Sequence, residues 1–181
     1  MDRPARPTCA DEDAVYETIH YLDLTDLSPY VALPDSPANS FPVDQITKDQ
    51  IKIDQAFIGS CVNGRMEDFR MAAKILKNKK IASHVRLIAT PASQRIWQQC
   101  LKEGIWEIFS EAGCLVTHAT CGACAGIHNG VLGDGEICLS TTNRNFKGRM
   151  GSNKASIYLA NSATVAASAI AGYIADPREL L

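Results

Sequence analysis

The 181-residue chain has no excess of charge of either sign: 18 Lys and Arg stand against 20 Asp and Glu, a net charge of −2. That balance removes any global electrostatic case for nucleic-acid or anionic-membrane binding, so steering must be local. No basic-then-apolar leader follows the Met1-Asp-Arg-Pro4 start, which points to a cytoplasmic protein. Long apolar runs are also scarce. The longest uncharged stretch, Tyr158 to Ala175, carries Asn161 and three serines or threonines among many alanines, so it reads as a buried helix and not a membrane span. There is no Gly-x-x-x-x-Gly-Lys-Ser/Thr phosphate loop and no Gly-x-Ser-x-Gly nucleophile elbow, which disfavours a P-loop nucleotidase and a serine hydrolase. Histidines are few: His20, His84, His118 and His128.

What is present is a composition of 46% hydrophobic and 21% charged residues, that of a globular domain. Seven cysteines form an odd set without an export signal, which favours reduced thiols or metal ligands over a disulfide framework. Residues 1–50 hold six of the eight prolines (Pro4, Pro7, Pro29, Pro34, Pro37 and Pro42) and short apolar runs, so they read as an extended arm packing on a neighbour. One or two strands are expected in Val15 to Val31 and an extended connection over Ser36 to Pro42.

From residue 51 to 181 the chain repeats a short apolar run, a Gly/Ser/Thr/Pro turn and a helix-period segment, the pattern of α/β folds with a parallel sheet. The predicted strands are Gln55 to Ile58, Val85 to Ala89, Cys114 to Thr117, Ile137 to Ser140 and Ser156 to Leu159. Helices are predicted over Met66 to Asn78, from Gln94 towards Glu103, over Ile105 to Glu111, and from an N-cap at Ser162 to a stop before Pro177. Cys61, the Cys121/Cys124 pair and the Asn143/Arg144/Arg149 group each follow a strand. A parallel sheet would gather them at its carboxyl edge, where open α/β sheets bind ligands.

Cys61 sits in a glycine-bounded turn, and Cys121-Gly-Ala-Cys124 lies sixty residues on. Two intervening residues let both sulfurs of the pair face one metal or cluster. Three thiolates leave several arrangements open: zinc completed by His118 or His128, a cluster closed by a further cysteine, or a cluster with one iron open to substrate. A redox dithiol is the bland alternative for the pair. Cys100, Cys114 and Cys138 fall in predicted helix or strand and read as small buried hydrophobes, and Cys9 as incidental. Between Ile137 and Ala175 no acidic residue occurs, while Arg144, Lys147, Arg149 and Lys154 do. Two arginines five apart in a strand-end loop suit a di- or tricarboxylate or a phosphate.

The strings Phe57-Ile-Gly-Ser-Cys-Val-Asn-Gly-Arg-Met-Glu-Asp68, Cys121-Gly-Ala-Cys-Ala-Gly126 and Leu132 to Gly151 together resemble the aconitase superfamily, nearest its isopropylmalate dehydratase and homoaconitase branch, from about Asp13 to the end of the chain. The resemblance implies a fold of the family's third-domain type and a [4Fe–4S] cluster on Cys61, Cys121 and Cys124, with the fourth iron free to act as a Lewis acid. By similarity Asn143 would lie near the cluster, and Arg144 and Arg149 would bind substrate carboxylates. The implied reaction is dehydration and rehydration of a 2-hydroxy-dicarboxylate, foremost 2-isopropylmalate to 3-isopropylmalate, with homocitrate or methylated malates as alternatives. Family large subunits are more than twice as long. The implied partners are therefore the remaining large-subunit domains and a small swivelling subunit, which would bring the catalytic base; no catalytic residue is expected in this chain. Val62 replaces the threonine usual in the family's Cys-Thr-Asn turn. Two other classes remain as alternatives, a structural zinc domain and a cluster-sensing RNA-binding module, the latter opposed by the charge balance.

Overall fold

A computed structural model describes residues 8–180. Pro4 and Pro7 of the expected arm lie outside the described residues. Seven strands form one sheet in the order β2-β1-β7-β6-β3-β4-β5. They are β1 (Tyr30–Ala32), β2 (Ser40–Pro42), β3 (Gln55–Gly59), β4 (Arg86–Thr90), β5 (Leu115–Val116), β6 (Ile137–Ser140) and β7 (Ser156–Ala160). Strands β7, β6, β3, β4 and β5 run parallel, and β1 and β2 add antiparallel at the β7 edge. Phe57 marks the centre, registered with Ile88 on one side and Ser140 on the other.

The helices are α1 (Val43–Ile46), α2 (Ser60–Asn63), α3 (Met66–Leu76), α4 (Gln94–Lys102), α5 (Ile105–Ala112) and α6 (Ser162–Ala171). The pleat sends alternate strand residues to opposite faces. Ala56, Ile58, Leu87 and Ala89 pack with α3, α5 and α6, whereas Phe57, Ile88, Cys138, Ile157 and Leu159 pack beneath loops that contribute Ala123, Cys124, Leu132 and Met150. Helices therefore cover one face and irregular segments the other. In α3 the apolar spacing at i, i+3, i+4 and i+7 buries Phe69, Ala72, Ala73 and Leu76. The Asp68 carboxylate accepts the Arg65 backbone N–H at 3.0 Å, fixing the helix start. Phe69 meets Trp106 and Phe109 edge-on, at 5.0 and 5.9 Å between centroids.

Three expectations are corrected. The strands sought between Val15 and Val31 reduce to Tyr30–Ala32, because residues 8–29 pair with no strand; Ser36–Pro42, expected as a connection, ends in β2. Of residues 1–50, expected as an extended arm with partial strands, β1 and β2 join the sheet and Val43 and Ile46 enter the core. Asn161, not Ser162, caps α6: it is extended and its Oδ1 accepts the Thr164 N–H at 2.9 Å, while Ser162 is already helical. The uncharged stretch from residue 158 becomes β7 and α6, and no helix among the described residues is long and apolar enough to cross a membrane.

Candidate functional site

The strand order places a topological switch between β3 and β6: from β3 the chain proceeds outward to β4 and β5, while β6 and β7 lie on its other side. Ligands of open α/β sheets bind outside the carboxyl ends of strands at such a point. Two of the three motifs leave strands there, Cys61 after β3 and Asn143–Arg149 after β6, and Cys121/Cys124 follows β5. All three converge on one cleft of about 370 Å³, lined by Cys61, Cys121, Cys124, Asn143, Arg144 and Arg149.

Local backbone demands explain this convergence. Gly59, at φ +136°, ends β3 so close to β4 that a Cβ would stand 1.9 Å from the Thr90 carbonyl oxygen, and only glycine permits that exit. The chain then enters α2, which carries Cys61. The Gly59 N–H donates to Thr141 Oγ1 at 2.8 Å, and that hydroxyl donates to the Gly59 carbonyl at 3.1 Å. Asn63 Nδ2 donates to the Thr141 carbonyl. The Cys61 turn is thus sewn to the start of the arginine loop. Gly126, at φ +63°, lets the cysteine-pair loop touch that same loop, where a Cβ would be 2.8 Å from the Gly151 nitrogen. Asn145 anchors the loop from below, its Nδ2 donating to the carbonyls of Leu33 at 2.7 Å and Ile157 at 3.2 Å.

Cys61 and Cys121 are exposed and Cys124 is buried. Burial holds the Cys124 thiol above its ordinary pKa; the Arg149 cation opposes this, and the neighbouring Cys61 and Cys121 add to it. Arg149 Nη2 lies 3.6 Å from Cys124 Sγ, and its guanidinium stands 5.9 Å from the centre of the Phe146 ring. Two lining residues each carry a buried polar atom with no partner among the described residues, Arg149 its Nε and Ser60 its Oγ. Of the four cations noted in the acid-free segment, Arg144 and Arg149 line the cleft, while Lys147 and Lys154 pair with Asp35 and Asp134 away from it.

The other cysteines and the histidines lie elsewhere. Cys100, Cys114 and Cys138 are buried, and burial pushes Cys100 and Cys138 up to about 12 and Cys114 upward too; Cys9 is exposed. His118 stacks on Trp97 with centroids 4.7 Å apart and its Nδ1 is 3.2 Å from Gln94 Oε1, while His128 Nε2 lies 3.1 Å from Thr120 Oγ1. Neither ring lines the cleft. Among the described residues no three His, Cys, Asp or Glu side chains form a group able to hold a single metal ion. Sequence reasoning missed Ser60, Thr141 and Asn145. The bonds of Thr141 and Asn145 join residues 82 and 112 positions apart, and the only local signal for these two was a run of hydroxyl and amide residues after β6.

Comparison with known proteins adds a family-wide match. Residues 5–172 match the aconitase family (aconitate hydratase). The chain is 56% identical over 171 residues to the 3-isopropylmalate dehydratase large subunit of Sulfurovum sp. (strain NBC37-1), covering 94% of this chain and 40% of that protein. The corresponding figures are 56%, 94% and 41% for the protein of the same name in Campylobacter fetus subsp. fetus, and 54%, 94% and 40% for that in Aliarcobacter butzleri. The chain therefore spans about two fifths of the length of these relatives.

Proposed function

The chain belongs to the aconitase family, and from that premise we propose that it is the cluster-bearing part of a hydro-lyase that converts 2-isopropylmalate to 3-isopropylmalate. The observation that carries the reading is the sharing of one cleft by three thiols and two arginines, with Arg149 in contact with Cys124. Cys61, Cys121 and Cys124 would hold a [4Fe–4S] cluster. The donor set fits: three thiols line one cleft beside a guanidinium with an unpartnered Nε, which suits a multi-atom group of mixed charge. The cleft, about 370 Å³, is many times the roughly 30 Å³ of one water. When bound, the cluster supplies a Lewis-acidic iron for the departing hydroxyl.

The chain's own residues do the rest of the binding. Arg144, which has no side-chain partner among the described residues, and Arg149 present forks to substrate carboxylates, and Asn143 borders them. The lining offers thiols, amide, hydroxyl and guanidinium groups but no carboxylate or imidazole to take a proton, so the base comes from a partner chain. The remaining large-subunit domains and a small subunit are the partners we propose. The arm supports this: Val15, Tyr21 and Leu22 are 97%, 91% and 82% exposed, in a stretch (residues 8–29) with six acidic residues and no lysine or arginine. Such a surface fits an apolar partner face with a basic rim.

Anaerobic reconstitution with iron and sulfide, followed by visible absorption and iron and sulfide counts, tests the reading. A broad charge-transfer band is expected in the wild type and in Cys100→Ser, and absent in Cys61→Ser, Cys121→Ser and Cys124→Ser. One bound zinc without sulfide, or a band indifferent to the three cysteines, would overturn it.

A further inference from the structure

We propose that Ser60 is a positioning residue whose hydroxyl donates a hydrogen bond to an anionic sulfur of the group held in the cysteine cleft, an inference that rests on the cluster reading above. Ser60 is only 4% exposed and lines the cleft, and its Oγ is buried with no partner among the described residues. Other buried hydroxyls of the same sheet edge are satisfied. Thr90 and Thr117 face each other at 2.7 Å, Ser140 donates to Thr142 at 3.0 Å, and Thr141 exchanges two bonds with Gly59. A buried hydroxyl without a partner is costly, and one belonging to a residue that lines a ligand cleft has an evident use.

The backbone strengthens the case. Ser60 sits at φ +85°, a region that side-chain-bearing residues rarely occupy and where strain collects at functional sites. The residue is wedged between Gly59 and Cys61, so the strained turn brings two adjacent residues, one bearing a hydroxyl and one a thiol, into the lining of the same cleft. Sulfur is the most abundant acceptor on offer: the cleft holds three thiols, Arg144 and Arg149 only donate, the Asn143 amide both donates and accepts, and the Thr120 hydroxyl is already within 3.1 Å of His128 Nε2. Arg149 already reaches Cys124 from the opposite loop. Ser60 would do the same from the β3 side. Hydrogen bonds to the sulfurs of an iron–sulfur cluster stabilise the more negative, reduced state and raise its potential.

The full chain and its Ser60→Ala and Ser60→Gly variants, reconstituted anaerobically, are titrated redox-wise and compared as cluster-free proteins by thermal melting. Both variants are expected to lower the midpoint, so that at a fixed poise the reduced-to-oxidised ratio falls about tenfold, ~59 mV for a one-electron couple. Cluster-free Ser60→Gly should melt no lower than wild type, because glycine relieves the positive φ. Unchanged midpoints in both variants overturn the proposal, as would a shift confined to Ser60→Ala, which would assign the effect to backbone and not hydroxyl. A wild type that takes up no cluster defeats the underlying reading; a loaded wild type with indifferent variants defeats only the role of Ser60.

Discussion

Arg149 Nη2 stands 3.6 Å from Cys124 Sγ, joining the arginine loop to the cysteine pair across a gap that Gly126 keeps narrow. Burial raises the Cys124 pKa and the Arg149 cation lowers it. Removing the cation must therefore raise it further. In cluster-free protein, Arg149→Met is expected to move the pH profile of Cys124 alkylation to higher pH and slow the reaction severalfold near pH 8, as followed by peptide mass spectrometry. A profile that stays in place would show that the contact exerts no field on the thiol. High salt should shrink the difference only slightly, because the pair is partly buried.

Thr141 bonds both backbone groups of Gly59. Thr141→Val keeps the shape but leaves a buried N–H without its acceptor, a cost of about 1–3 kcal/mol. A fall in Tm of roughly 2–4 °C per kcal/mol is expected for a chain of this length. Cys61 should also react faster with thiol reagents once its turn is released.

Asp176, 8% exposed, accepts the Arg178 guanidinium through both oxygens at 2.5–3.0 Å and caps the last turn through the Arg178 N–H at 2.9 Å. The Arg178 hydrogen bonds hold its carboxyl below the ordinary 3.8. A depressed carboxylate stabilises fully above its unfolded pKa and loses that stabilisation as pH falls through the lower folded value. Wild type should exceed Asp176→Asn by about 1 kcal/mol at pH 6, and urea melts should show the gap closing below about pH 4. A gap that persists at pH 2 would contradict the linkage.

Phe69 is fully buried and meets two aromatic rings edge-on. Phe69→Ala should cost about 3–5 kcal/mol, read as a drop in urea midpoint with little change in slope. Phe69 does not line the cysteine cleft, and Cys124 packs on the other face of the sheet, so thiol reactivity in the folded variant should match wild type.

The elements legible in the sequence were those whose own residues declare the period. The apolar spacing of Phe69, Ala72, Ala73 and Leu76 located α3 to within two residues at its end, and β3, β4, β6 and β7 emerged from β-branched and apolar runs. Strand β2 did not emerge and β1 only as the end of a longer expected region, because three-residue strands exist through their partners: Val31 is a strand residue because Ala160 lies across from it. The cap of α6 slipped by one because Asn161 and Ser162 are both good cap formers and only the backbone angle chooses. At the site, the cysteines and arginines stood out as residue types, but their fastening did not. Asn145 reaches Leu33 across 112 positions, a contact that no local pattern encodes.

The sheet's two coverings also separate two kinds of damage. Helices α3, α5 and α6 bury most of the large side chains on one face, while thiols and guanidinium groups ride on loops at the other face and edge. An oxidised thiol or a lost arginine would then leave calorimetry and circular dichroism almost untouched. A population of such chains would pass every test of folding while carrying none of the chemistry, and only a probe directed at the loops would tell the intact molecules from the spent ones.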